Sequence, residues 1–182
     1  LALPLFVMVL ARNLARPEAL ARGVHARAAH RMAVAGLLAT PAFVALGGSF
    51  VGAWPLNVMF LLALVAAVTG LLARGGWRAA AGGALFGVGG VLVEYFWVGA
   101  LLGVAAWGYC RHPSWGALAL LGAAFAGLCW MKGNPWALAA LPLAALAVRF
   151  DPAIPRWRWA FYVYYPAHLT ALWACRWIAP PA

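Results

Sequence analysis

The chain has 182 residues, of which 67% are hydrophobic and only 9% charged, and its mean hydropathy is +0.91. A water-soluble domain cannot hide that much apolar surface, and in hydrocarbon the backbone must satisfy its own polar groups, so only helices or a closed barrel remain. The long Leu/Ala/Val/Gly runs lack the period-two alternation of barrel strands, which leaves helices. The net charge of +10, from 13 Lys+Arg against 3 Asp+Glu, raises the question of nucleic acid. The cations cluster between apolar runs, as the positive-inside bias requires, so they report membrane topology, and nucleic acid is not an expected partner. The fold class is therefore all-α: a single-domain, polytopic transmembrane bundle over residues 1–182, with membrane lipid as its solvent.

In chain order, apolar runs bounded by charge, Pro or Gly predict helices near 1–14, 32–48, 56–73, 79–93, 95–110, 114–131, 136–148 and 159–177. That makes about eight crossings, several of them short against the roughly 20 residues of a full span. The stretch from Ala79 to Cys110 reads either as two tilted spans turning at Glu94 or as one long helix; two are preferred. The chain opens at Leu1 inside an apolar run, without an initiator methionine or a cleavable signal pattern, so one further hydrophobic helix is expected to precede it. Cys110, Cys129 and Cys175 have no metal-type spacing and read as small buried hydrophobes; no metal is expected.

Arginines set the expected orientation. Arg12, Arg16, Arg22, Arg27 and Arg31, then Arg74 and Arg78, then Arg111, then Arg149, Arg156 and Arg158 fill alternate connections. These face the cytoplasm if the positive-inside bias holds, while Glu94, Lys132 and the terminal Arg176 fall on the other side. Gly83-x-x-x-Gly87 in the fourth run has the small-residue spacing that lets helices approach closely.

Polar residues at membrane depth are costly and want a partner or a task. Arg12-Asn13, at the inner end of the first run, reads as a snorkelling arginine with a helix cap, or as an anion-binding pair at a pocket mouth. Pro55 suits a first helical turn, and Asn57 either bridges to another helix or binds a substrate carbonyl. Glu94 is the one acid embedded among the apolar runs: a wet turn at the outer surface, or a catalytic or substrate-orienting carboxylate. The last run, Tyr162-Val163-Tyr164-Tyr165-Pro166-Ala167-His168-Leu169, carries the only histidine expected inside a span. His168 lies about ten residues past Arg158, roughly 15 Å along a helix, deep enough that proton transfer is a better reading than packing. His25, His30 and His112 sit among arginines and read as unremarkable.

At these residues the sequence resembles the TraX family of multi-spanning inner-membrane proteins. The matching pieces are Leu3-Pro4-Leu5-Phe6 with Asn13-Leu14-Ala15-Arg16, Pro55-Leu56-Asn57-Val58-Met59-Phe60, Glu94-Tyr95-Phe96-Trp97-Val98-Gly99, and Tyr162 through Leu169. The resemblance implies a bacterial inner-membrane acyltransferase linked to conjugation, moving an acetyl group from acetyl-CoA to an amine such as a pilin N-terminus. It implies His168, Tyr165 and Glu94 as catalytic groups, Asn57 and Asn13 as substrate-binding groups, and Arg12 and Arg16 on the donor's phosphates. Two departures stand beside it: the family's opening helix with an Asp-His pair is not in this chain, and Glu94 stands where aspartate is commoner. The competing classes are a non-catalytic scaffold of a conjugation or secretion system and a small-molecule transporter or flippase.

Overall fold

The computed structural model describes residues 2–149 and 160–178, and among them it forms eight α-helices and no strand. These are α1 (Ala2–Leu14), α2 (Val24–Ala45), α3 (Val58–Leu72), α4 (Gly76–Leu92), α5 (Phe96–Arg111), α6 (Trp115–Lys132), α7 (Ala140–Arg149) and α8 (Ala160–Ile178), with a 3₁₀ turn over Pro135–Ala139 before α7. The chain is thus the all-helical bundle that its composition demands. α2 and α6 are long and apolar enough to cross a membrane, and α1, α3 and the Pro135–Leu146 stretch are shorter apolar helices.

The pair α4 and α5 turns at Glu94, as preferred from the sequence. Two other expectations are corrected. The second helix starts at Val24 rather than near 32, because Gly23 takes the left-handed conformation that ends the preceding turns, and the Ala/Arg/His/Met segment after it is good helical sequence. His25, Arg27, His30 and Arg31 therefore lie on a helix. The seventh run divides because Pro142 has no N–H to give Leu138, so regular α-helix starts only at Ala140 and the turn before it tightens to 3₁₀. Arg156 and Arg158 lie outside the described residues.

α3 is the axle of the bundle, packed by α1, α2, α4 and α5, and its residues from Leu61 to Ala66 are all buried. Helices come this close where glycine removes a side chain. A Cβ on Gly36 of α2 would stand 2.8 Å from the Phe60 ring, and one on Gly103 of α5 would stand 2.5 Å from Val65 Cγ2. Gly83 and Gly87, the pair expected to pack, face open space; Gly89 and Gly90 of the same helix carry the contacts instead, against Leu64 and Trp97. The Gly83-x-x-x-Gly87 spacing therefore does not mark the packed face of α4, because spacing alone does not say which face meets α3.

The surface agrees with lipid as solvent. Trp77 and Trp115 stand exposed at the first turns of α4 and α6, at the arginine-bearing end, and Trp130 and Trp136 stand exposed at the other. Trp115 is 87% and Trp130 90% exposed, and the 15 helical steps from one to the other span roughly 22 Å, so two aromatic girdles bracket an apolar band. The cysteines are not the buried hydrophobes expected: Cys110 and Cys175 are exposed and Cys129 half-buried, all as free thiols.

The close approach at Gly103 sets a test. Gly103→Ala should lower stability by about 1–3 kcal/mol through overpacking against Val65. Gly108→Ala, on the same helix with nothing within 4 Å, should be neutral or slightly stabilising. Thermal unfolding of the two variants in one detergent checks this.

Candidate functional site

Two main-chain hydrogen bonds build the site. Leu56 N–H donates to Leu92 C=O at 2.7 Å, and Glu94 N–H donates to Leu56 C=O at 2.7 Å, which zips the segment before α3 to the end of α4. Asn57 and Glu94, 37 positions apart in sequence, are thereby laid side by side. Trp54 Nε1–H adds a bond to Val91 C=O at 2.9 Å and holds the same seam.

Asn57 is the N-cap of α3. Its Oδ1 accepts from Met59 N–H at 3.1 Å, and its Nδ2 donates to Gly36 C=O at 2.9 Å and Thr40 Oγ1 at 3.2 Å. The side chain is 1% exposed, and its amide groups are spent on the protein. Asn57 therefore bridges α3 to the middle of α2 and positions the site; it is not free to bind a substrate carbonyl. Pro55 lies two residues before this cap, outside the helix, so it is not the first-turn proline expected.

The bridge also sets depth. Gly36 is followed by nine more residues of α2, Leu37 to Ala45, or about 14 Å of helix, so the polar cluster sits below the end of α2. α8 packs along α2, and Arg176 near its end donates to Ala45 C=O at 3.2 Å. An apolar groove between α2, α3 and α4, lined by Ala33, Phe60, Leu64 and Gly89, runs up to Leu56 and Val93 at the cluster's edge.

Around the first turn of α3 the polar groups converge. The Val58 backbone N–H, one of the donors a helix leaves free at its start, lies near the Glu94 carboxyl and near the Tyr165 hydroxyl brought in by α8. The Tyr95 hydroxyl lies beside the Glu94 carboxyl. Tyr95 and Phe96 hold φ of 64° and 48°, a left-handed conformation that costs a bulky residue about 1–3 kcal/mol, so the turn that presents Glu94 is strained. Glu94 is half-buried rather than on a wet surface turn. Burial pushes its carboxyl above the usual range, opposed by the Lys132 charge, the Tyr95 hydroxyl and the Val58 amide. Burial, then the neighbouring Glu94 charge, push the Tyr95 phenol up to about 12.

His168, itself half-buried, follows Tyr165 by three residues on α8. Its ring stacks on Tyr164 at 5.1 Å and meets Tyr165 edge-on at 5.5 Å. Nδ1 lies 3.3 Å from Tyr164 C=O. A carbonyl can only accept, so this contact assigns the proton to Nδ1 and leaves the Nε2 lone pair available.

Four of the seven residues singled out from sequence, Asn57, Glu94, Tyr165 and His168, thus come to one region. Arg12, Asn13 and Arg16 do not. They are exposed at the end of α1, where Arg12 acts on Cys110 of α5, and 16 residues of α5, about 24 Å, separate Cys110 from Glu94. Asn13 therefore cannot join Asn57, because α1 runs alongside α5 and carries it to the opposite end.

That opposite end holds a residue the sequence reading passed over. His25, in the first turn of α2, is 2% exposed, and neither ring nitrogen has a hydrogen-bond partner among the described residues; Trp107 Nε1 is in the same condition. The Ala19 C=O near the ring already holds Val24 N–H at 2.9 Å, and the ring makes no well-formed bond to it. The charges of Arg74 and Arg111 both act on His25, and Gly70 gives it room. Its burial was not legible because the helix was expected to start later. Lys132, also passed over, has its Nζ 4.3 Å from the centre of the Tyr95 ring.

The raised Glu94 carboxyl gives a pH test. A buried acid whose pKa lies above its unfolded value costs stability above that folded pKa, and the cost vanishes below the unfolded one. Glu94→Gln should therefore raise the melting temperature near pH 8, with the gain shrinking as the pH falls to about 4. Melting curves of both proteins across that range decide it; a gain independent of pH would contradict the burial argument.

The family model for the TraX protein matches residues 1–176 of the 182. No curated protein and no solved structure matches the chain. With nearly the whole length matched, the chain belongs to the TraX family.

Proposed function

We propose that this protein is a membrane-embedded acyltransferase that moves an acetyl group from acetyl-CoA to an amine acceptor such as a pilin N-terminus. Membership of the TraX family fits a conjugation-related membrane protein. The observation that carries the chemistry is the meeting of the Glu94 carboxylate, the Tyr165 hydroxyl and the Val58 amide at the start of α3, with His168 beside Tyr165.

The reaction needs a base for the amine proton and donors for the tetrahedral oxyanion. In this reading Glu94 attracts the acceptor ammonium and takes its first proton, which passes on to solvent and leaves the neutral amine as nucleophile. His168, with its proton on Nδ1, takes a proton from the attacking nitrogen at Nε2. The new C–N bond forms as the C–S bond breaks, and the proton held by His168 passes to the departing thiolate. Tyr165 O–H and Val58 N–H, at the positive end of α3, receive the oxyanion. Asn57 acts through the backbone by fixing that helix end. Arg12 and Arg16 hold the donor's phosphates at the far end of α5, so the donor's arm runs along most of the bundle toward Glu94. Placed in the inner membrane, the arginine-bearing ends face the cytoplasm, where acyl-CoA is made.

The test is mass spectrometry of the acceptor's N-terminus in cells with and without the gene, then turnover by the full-length protein and its variants. Deletion should remove the acetyl mass. His168→Ala should lower turnover by about 10²–10⁴-fold and Tyr165→Phe by about 10²-fold, both with unchanged melting temperature. An acetyl mass that survives deletion would overturn the acyltransferase reading and favour the scaffold or transporter classes. Full turnover in His168→Ala would remove that residue from the mechanism.

A further inference from the structure

The groove between α2, α3 and α4 has a volume of about 380 Å³ and stands open on one side. Small residues make it: Ala33, Ala67 and Gly89 leave the space, and Phe60 and Leu92 close its inner end. His30 is the single polar side chain in its lining. α2 runs antiparallel to α3, with Gly36 against Phe60 and His25 against Gly70, so His30 lies toward the arginine-bearing end of the groove. Two cations continue the groove in that direction. Arg74 Nη1 folds back along α3 to donate to Gly70 C=O at 2.8 Å, only three residues, or about 5 Å, beyond the lining residue Ala67. Arg78 precedes the lining residue Leu85 by seven positions, two turns on the same face of α4, and its guanidinium lies 5.5 Å from the centre of the exposed Trp77 ring. Neither arginine pairs with a carboxylate among the described residues, where the one ion pair is Arg22 with Glu18.

We propose that this groove seats one acyl chain of an anionic phospholipid, drawn from the leaflet at the arginine-bearing ends, with the lipid phosphate held by His30, Arg74 and Arg78. The inference needs the bundle to lie in lipid and is independent of the acyltransferase reading. Three observations converge. The charge is complementary: an apolar trough ends in an imidazole and two guanidinium groups, the order in which an anionic lipid presents its tail and its phosphate. The depth fits, because the 11 residues from Arg78 to Gly89 span about 16 Å, close to half of a hydrocarbon core roughly 30 Å thick, and the exposed Trp77 marks the interfacial level beside Arg78. The width selects a chain over a helix. Spread over the roughly 10 Å from Phe60 to Ala67, the groove is about 7 Å across, whereas a helix with its side chains is about 10–12 Å across. The inner end of the trough meets Leu56 and Val93, so the seated chain packs against the seam that joins α3 to α4.

Native mass spectrometry of the full-length protein in detergent, with phosphatidylglycerol or phosphatidylcholine of identical acyl chains added, reads the site directly. One phosphatidylglycerol should be retained per chain, about ten- to thirtyfold more tightly than phosphatidylcholine, and the double variant Arg74→Gln with Arg78→Gln should abolish that preference. Ala67→Phe, and separately Ala33→Phe from the α2 wall, place a ring in the trough and should weaken both lipids at least tenfold with a native melting temperature. Millimolar inorganic phosphate should not displace the lipid. Equal retention of the two lipids by the unmodified protein, or a preference that survives loss of both arginines, overturns the proposal. So does undiminished phosphatidylglycerol in a folded Ala67→Phe or Ala33→Phe variant, and displacement by phosphate would assign the cations to a free anion instead.

Discussion

The bundle is organised around one short seam, the pair of 2.7 Å hydrogen bonds by which Leu56 receives Glu94 and reaches Leu92. Helix packing through glycine contacts sets how closely α2, α3 and α5 approach, but it leaves their relative heights adjustable. The seam removes that freedom. It fixes the start of α3 against the end of α4, and Asn57, next in the chain, fixes the same point against Gly36 of α2. In a low-dielectric interior each of these bonds is expensive to break, since its groups have no water to turn to. Three helices are therefore locked together at this point.

Polar residues pay for their depth in different ways. Asn57 and Thr69 are buried and satisfied, the first by capping and bridging, the second by donating to Val65 C=O at 2.7 Å. Glu94 is only half covered, and it sits in a strained turn at the positive end of a helix, between two tyrosines and within reach of a lysine. Satisfied groups hold the scaffold rigid; incompletely satisfied ones retain the capacity to bind or exchange protons. That contrast separates Asn57 from Glu94 more firmly than their shared polarity.

The two ends of the bundle divide the electrostatics. One end gathers Arg12, Arg16, Arg74 and Arg111 with the buried His25, and the other carries Glu94 and Lys132. About 24 Å of α5 lies between Cys110 and Glu94. A single small molecule cannot touch both ends at once.

Much was legible in the sequence because lipid as solvent leaves a chain few choices. Apolar runs ended by arginine, proline or glycine located all eight helices, and the turn at Glu94 followed from one acid between two such runs. The chemical identity of Glu94, Tyr165 and His168 marked them as costly at depth wherever they pointed. Their neighbours were not legible. That Asn57 spends its amide on Gly36, that Gly89 rather than Gly87 meets α3, and that Asn13 lies a bundle-length from Asn57 all depend on helix rotation and relative height. Those quantities are set by contacts between segments far apart in the chain, with no local periodicity to encode them. The burial of His25 and the place of Lys132 over Tyr95 belong to the same class: each residue's own segment fixes its helix, and only the packing of other helices decides what it faces.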